Sequence, residues 1–181
     1  MSLHWLPNAI SVLRIVLVVP ILYLITLHQY SLALLLFFVA GISDGLDGLL
    51  ARTFNWRSRA GALLDPLADK LMMAGSFAAL WFTGLLPLWL ALLVIARDLL
   101  IVVGAIFYNF LIKPVEGEPT RISKLNTAFE LLLVFSVLAR AAYGWPDPVV
   151  VVVLGAAVLV TVVISGIDYV WSWTNKARKG E

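Results

Sequence analysis

The stretch Ser43–Lys70, SDGLDGLLARTFNWRSRAGALLDPLADK, decides how the chain reads. It sets Asp44 and Asp47 at the end of one apolar segment and Asp65 and Asp69 at the start of the next, with Arg52, Arg57 and Arg59 between them. A charge within a membrane span costs ~2.5–3.5 kcal/mol on insertion scales, so such residues face a polar interior that has a use. Residues three or four apart share a helix face, and a short connection makes the two helices antiparallel neighbours. Four carboxylates then converge on one site.

Composition supplies the surroundings. Of 181 residues, 62% are hydrophobic and 13% charged, and the mean hydropathy is +0.98. Soluble domains sit nearer ~45–50% apolar and ~25% charged. An integral membrane protein follows, and at ~20 apolar residues per crossing the length admits six spans in one domain. The apolar segments run over 6–27, 32–50, 62–82, 88–112, 127–142 and 149–171, giving an all-α six-helix membrane domain over 1–181. The absence of cysteine removes disulfides, thiol nucleophiles and cysteine metal sites, so carboxylates must carry any metal chemistry. The first apolar run has no basic n-region and no A-x-A-like site, and it reads as a retained span rather than a signal peptide. The net charge of +2 points to no particular partner, and no nucleic acid is expected.

Lysine and arginine bias sets the orientation. The connection after the second span carries Arg52, Arg57 and Arg59, the one after the fourth carries Lys113, Arg121 and Lys124, and the tail carries Lys176, Arg178 and Lys179. The opposite side holds Arg140 alone. Both termini and the aspartate-bearing ends are therefore expected in the cytoplasm, in a bacterial inner membrane or an equivalent organelle membrane. Trp5, Trp56, Trp145, Trp171 and Trp173 lie near span ends, as interfacial anchors or as lipid-facing bulk.

Four clustered carboxylates repel one another unless cations compensate, and all-oxygen ligation suits magnesium, manganese or calcium. Two such ions ~4 Å apart can clamp a diphosphate during in-line displacement, which is phosphoryl-type transfer chemistry. Gly48 and Gly61 leave room for a nucleotide to approach the backbone or serve helix packing, and Arg52 offers a planar donor to phosphate.

The pattern Asp44-x-x-Asp47-Gly48-x-x-Ala51-Arg52, eight residues, then Gly61-x-x-x-Asp65-x-x-x-Asp69 resembles in full the signature of CDP-alcohol phosphotransferases. The resemblance implies a six-helix membrane fold, Mg2+ or Mn2+, release of CMP, and a homodimer. It further implies that Asp44 and Asp65 bridge two metals, that Asp47 binds one, and that Asp69 binds the other and acts as general base. Gly48, Ala51, Arg52, Ser58 and Gly61, with Asn8 and Ser11 of the opening run, would contact the CDP-lipid. Ser58 also reads as an ordinary loop serine, and Pro7-Asn8 as a simple start to the first span.

Outside the signature, Ala96-Arg97-Asp98 and Pro119-Thr120-Arg121-Ile122-Ser123-Lys124-Leu125-Asn126-Thr127 resemble the CMP-forming cardiolipin synthase branch. This implies CDP-diacylglycerol as donor and phosphatidylglycerol as acceptor, with glycerol 3-phosphate, the acceptor of phosphatidylglycerophosphate synthases, as the alternative. Arg97, Arg121 and Lys124 can collect an acceptor phosphate. Equally, Arg121 and Lys124 fit ordinary positive-inside charges, and Arg97 can pair with Asp98. Glu130 and Asp168 read as partners for such arginines. A cation transporter is the rival reading, but it calls for charges near the midplane in broken helices, whereas these aspartates sit at one boundary.

Overall fold

The computed structural model describes residues 6–53, 61–111 and 121–179, with side chains over 12–43, 66–104 and 122–169 and at 171. Six helices follow in order: α1 (Leu6–Thr26), α2 (Tyr30–Thr53), α3 (Gly61–Phe82), α4 (Leu88–Leu111), α5 (Arg121–Tyr143) and α6 (Pro148–Lys179).

Their ends follow from local chemistry. At the end of α1 the N–H groups of His28 and Gln29 donate back to the carbonyls of Ile25 and Leu24, and at the end of α3 those of Gly84 and Leu85 donate back to Trp81 and Leu80. Both closures place one residue in the left-handed region, His28 at φ 59° and Gly84 at φ 75°, which satisfies carbonyls that a helix end leaves open. At the start of α6, Asp147 Oδ1 accepts the Val149 N–H at 2.8 Å, and Pro148 takes the first helical position, where a missing N–H costs nothing.

α2 outruns its apolar segment slightly at both ends, and α5 and α6 outrun theirs by more. α5 starts at Arg121 rather than at 127, because Ser123 and Asn126, which interrupt the apolar pattern, are buried inside the protein. α6 continues beyond Trp171 to Lys179. Among the described residues, Ile122–Tyr143 and Pro148–Tyr169 are long and apolar enough to cross a membrane, and Val12–Thr26 and Tyr30–Ser43 are shorter apolar stretches.

The helices form a ring in which α1 packs on α2 and α3, α2 on α5, α5 on α6, α6 on α4, and α4 on α3, with α3 touching α5 across the middle. The ends at which α2 and α3 are expected to be neighbours, 44–53 and 61–65, have their side chains outside the described residues. Among the described residues, α1 and α5 each contact both helices, while α2 and α3 do not pack on each other. Gly75 brings α3 close to α1, where a Cβ would fall 2.7 Å from Leu22 Cδ1.

The interior divides along its length. Toward one end it is apolar, with Ile21, Ile25, Phe77, Leu80, Leu133, Leu138 and Val158 fully or almost fully buried. Toward the other lie the buried polar residues Arg14, Arg97, Asp98, Ser123, Asn126, Glu130 and Ser165. The outward faces of α1, α2, α4 and α6 are apolar, with Val19, Phe38, Leu92 and Val152 all exposed.

Candidate active site

Helical periodicity assembles the polar end. On α5, Ser123, Asn126, Thr127 and Glu130 fall at i, i+3, i+4 and i+7, the spacing of a single face. On α6, Thr161, Ser165 and Tyr169 repeat every fourth residue. α3 contributes Asp69 and Lys70, α4 contributes Arg97 and Asp98, and α1 contributes Arg14.

A cavity of ≈ 330 Å³ opens among these helices. Asp69, Lys70, Arg97, Asp98, Ser123, Thr127, Glu130 and Tyr169 form its polar wall, and Pro66, Met73 and Ile101 complete it. Asp98 organises the cations: its Oδ1 accepts from Arg97 Nη1 at 2.8 Å and from Lys70 Nζ. Arg97 Nη2 also donates to Ser123 Oγ at 2.8 Å and to Ser165 Oγ at 2.5 Å. Three helices, α4, α5 and α6, are thus tied through one guanidinium, and Lys70 joins α3 to them through Asp98. Arg97 Nε has no partner among the described residues.

On the opposite wall Asp69 Oδ1 accepts from Arg14 Nη1 at 2.5 Å. Arg14 is fully buried, whereas the Asp69 side chain is 43% exposed. Such a pair holds the carboxylate from behind and leaves it accessible in front. Glu130, read from sequence as an arginine's partner, instead takes the Asn126 Nδ2 amide at 2.6 Å. Asp168 forms no ion pair among the described residues.

Of the residues singled out from sequence, the structure brings Asp69 and Arg97 to one cavity. Lys124 is exposed in the first turns of α5, outside the cavity wall. Asn8 and Ser11 lie on α1, Asp44, Asp47, Gly48, Ala51 and Arg52 on α2, Gly61 and Asp65 on α3, and Arg121 opens α5, with their side chains outside the described residues. Ser58 lies outside them altogether. Among the described residues no three His, Cys, Asp or Glu side chains gather as a metal group. Asp69 itself suits a hard divalent cation, being a partly exposed oxygen donor at the edge of a cavity.

Sequence reading assigned no role to Arg14 or Lys70. The cost of a charge within an apolar helix is the signal that marks both. Ser165 and Thr161 carry no such signal, because a lone hydroxyl is common in apolar helices.

The model of the family described as CDP-alcohol phosphatidyltransferase matches residues 4–164. The chain belongs to that family. The family works with divalent metals. A human protein named cardiolipin synthase (CMP-forming) is 32% identical over 180 residues, covering 91% of this chain and 60% of its own length. A protein of the same name from Streptomyces coelicolor is 34% identical over 151 residues, covering 77% of this chain and 67% of its own. A CDP-diacylglycerol--glycerol-3-phosphate 3-phosphatidyltransferase from Aquifex aeolicus is 32% identical over 167 residues, covering 90% of this chain and 92% of its own. The chain thus spans 60% of the length of the human and rat cardiolipin synthases it matches, and nearly all of the Aquifex family member.

Proposed function

We propose that this CDP-alcohol phosphatidyltransferase transfers a phosphatidyl group from CDP-diacylglycerol to phosphatidylglycerol, forming cardiolipin and CMP. The observation that carries the reading is one cavity lined by the Asp69 carboxylate and by two cations, Lys70 and Arg97. A carboxylate can take a proton from an alcohol, and the cations can hold that alcohol's phosphate. The names of the human and Streptomyces relatives favour cardiolipin as the product.

In this reading Asp44, Asp47, Asp65 and Asp69 hold two ions, Mg2+ or Mn2+, which when bound neutralise the diphosphate of the donor. Gly48, Ala51, Arg52, Ser58, Gly61, Asn8 and Ser11 bind the CDP-lipid. Lys70 and Arg97 in the cavity wall, with Arg121 and Lys124 at the start of α5, collect the acceptor's phosphate. The acceptor hydroxyl oxygen bonds to the phosphorus carrying the diacylglycerol as the bond from that phosphorus to CMP breaks. The hydroxyl proton passes to Asp69. Arg14 holds Asp69 from the buried side, at the edge of the cavity.

The same reading places all six helices across a bilayer as one domain, with both termini and the aspartate-bearing ends in the cytoplasm. Apolar outward faces and the arginine and lysine bias of the connections support it. A glycerol 3-phosphate acceptor is the second reading, favoured by the match along 92% of the Aquifex relative. Purified protein given CDP-diacylglycerol, Mg2+ or Mn2+, and each acceptor in turn should release CMP and make cardiolipin, resolved by mass. CMP release with glycerol 3-phosphate alone would select the second reading, and no CMP with either would end both.

A further inference from the structure

The transfer as proposed uses Asp69 for the proton and the cations for a phosphate, and leaves Glu130 without a task. Glu130 is 1% exposed yet forms part of the cavity wall. Among the described residues it takes part in no ion pair. Its Oε1 accepts the Asn126 amide at 2.6 Å, and Thr161 Oγ1 donates to Asn126 Oδ1 at 2.9 Å. This chain from α6 through α5 orients the Asn126 amide and fixes Glu130 in turn. A carboxyl group has about four lone-pair sites, and one amide occupies one of them. Leaving the rest against apolar atoms is costly, so the cavity side must meet a hydrogen-bond donor.

Among the described residues neither cation bonds Glu130, and Asp98 accepts from both Lys70 and Arg97. The cavity therefore presents two separated demands. One part of the lining, Lys70 and Arg97, offers positive charge, which suits a phosphoester. The other offers a fixed carboxyl oxygen at Glu130, which suits a hydroxyl. Asp69, assigned to the reacting hydroxyl, lines the same cavity.

We infer that Glu130 is a specificity-determining residue that binds the non-reacting, secondary hydroxyl of a glycerol phosphoester acceptor, with Asn126 and Thr161 as its positioning residues. The inference rests on the phosphatidyl-transfer reading above. It names a chemistry common to two sources, the headgroup of phosphatidylglycerol and free glycerol 3-phosphate. It also explains why a site would discriminate against a simple diol: a group built to bond a substrate hydroxyl rejects the analogue that lacks it.

The test pairs each acceptor with its counterpart lacking the secondary hydroxyl: phosphatidylglycerol with phosphatidylpropane-1,3-diol, and glycerol 3-phosphate with 3-hydroxypropyl phosphate. The native protein should favour the glycerol form by about ten- to a hundredfold in kcat/KM, and the pair that turns over identifies the source. Glu130→Met should bring that ratio below about threefold by lowering use of the glycerol form alone. Glu130→Gln, which keeps the Asn126 contact, should lower it partway and guards against a Met variant that does not fold. A purely structural role would reduce both members of a pair in parallel, and an unchanged ratio in Glu130→Gln overturns the inference. So does a native protein indifferent to the secondary hydroxyl, or one that prefers an ethanolamine phosphoester.

Binding gives a readout that needs no turnover. Glycerol 3-phosphate should raise the melting temperature of the native protein more than 3-hydroxypropyl phosphate does, and Glu130→Gln should erase the difference. If that difference appears while no CMP is released, the transfer reading fails and the hydroxyl site stands. If CMP is released and no difference appears in binding or in kcat/KM, the hydroxyl site fails alone.

Discussion

Arg14 and Asp69 are 55 residues apart in sequence and meet at 2.5 Å, the arginine fully buried on α1 and the aspartate 43% exposed on α3. The pair joins α1 to α3, which carries part of the aspartate signature. It also puts a fixed cation behind the group assigned to take the proton.

Replacing Arg14 by Leu removes the buried charge and substitutes a side chain at home in an apolar helix, so the protein should remain folded. Asp69 would lose the partner that orients it, and small misplacements of a reacting group are expensive in rate. CMP release should fall at least about tenfold with the size-exclusion profile unchanged. Full activity in Arg14→Leu would remove Arg14 from the mechanism.

Asp98 answers two cations with one oxygen, and the consequences of cutting each partner differ. Asp98→Leu would strand Arg97, whose side chain is 4% exposed, beside Lys70. Breaking a buried pair in this way costs ~3–5 kcal/mol. Lys70→Met leaves Arg97 neutralised and removes a charge that is one-third exposed, so its cost should stay near ~1 kcal/mol. Thermal unfolding in detergent should therefore rank Asp98→Leu well below Lys70→Met, and the opposite order would refute the assigned hub.

The six helices were legible because apolar segments and turn residues alternate plainly, and the signature fixed attention on Asp69. Two things were not legible. Sequence order does not show which further helices pack on a pair, so that α1 and α5 each contact both α2 and α3 was not legible. Apolarity also hides residues whose polarity is satisfied internally. Ser123 and Asn126 looked like a loop from sequence because a solvent-based criterion cannot see that Arg97 and Glu130 hold them. The charge at Arg14 was visible, but its partner lay beyond any local pattern.

The metal assignment makes a direct prediction. Asp44→Asn, Asp47→Asn, Asp65→Asn and Asp69→Asn each remove a ligand charge at constant size, and each should abolish CMP release while the protein elutes as before. Exhaustive dialysis against EDTA should do the same, with recovery on adding Mg2+ or Mn2+. Two of the four variants retaining activity would end the two-ion reading.

Orientation can be read by single cysteines, since the chain has none of its own. Cysteines at Trp56 and Glu118 should react with an impermeant reagent only from the cytoplasmic face. Those at Gln29 and Asp147, both exposed at turns of the other end, should react only from outside. Reversed labelling would set the aspartates on the wrong side for a donor made in the cytoplasmic leaflet.

The acceptor's phosphate separates a wall residue from a rim residue. Lys70 lines the cavity beside Arg97 and is one-third exposed, whereas Lys124 is exposed and outside the wall. A charge-assisted contact inside a cavity is worth ~1.5–3 kcal/mol, so Lys70→Met should raise the acceptor KM by about ten- to a hundredfold and change the CDP-diacylglycerol KM far less. Lys124 can act on the same phosphate only at a distance or during approach. Such a contribution amounts to ~1 kcal/mol or less and is screened by salt, because the Debye length shrinks from ~10 Å at 0.1 M to ~3 Å at 1 M. Lys124→Ala should therefore cost a few-fold in acceptor efficiency at low salt and nothing at high salt, while the Lys70→Met defect persists at both. Acceptor KM values measured at two ionic strengths decide the matter. A salt-insensitive loss in Lys124→Ala, larger than that of Lys70→Met, would move the phosphate site out of the cavity and onto the start of α5.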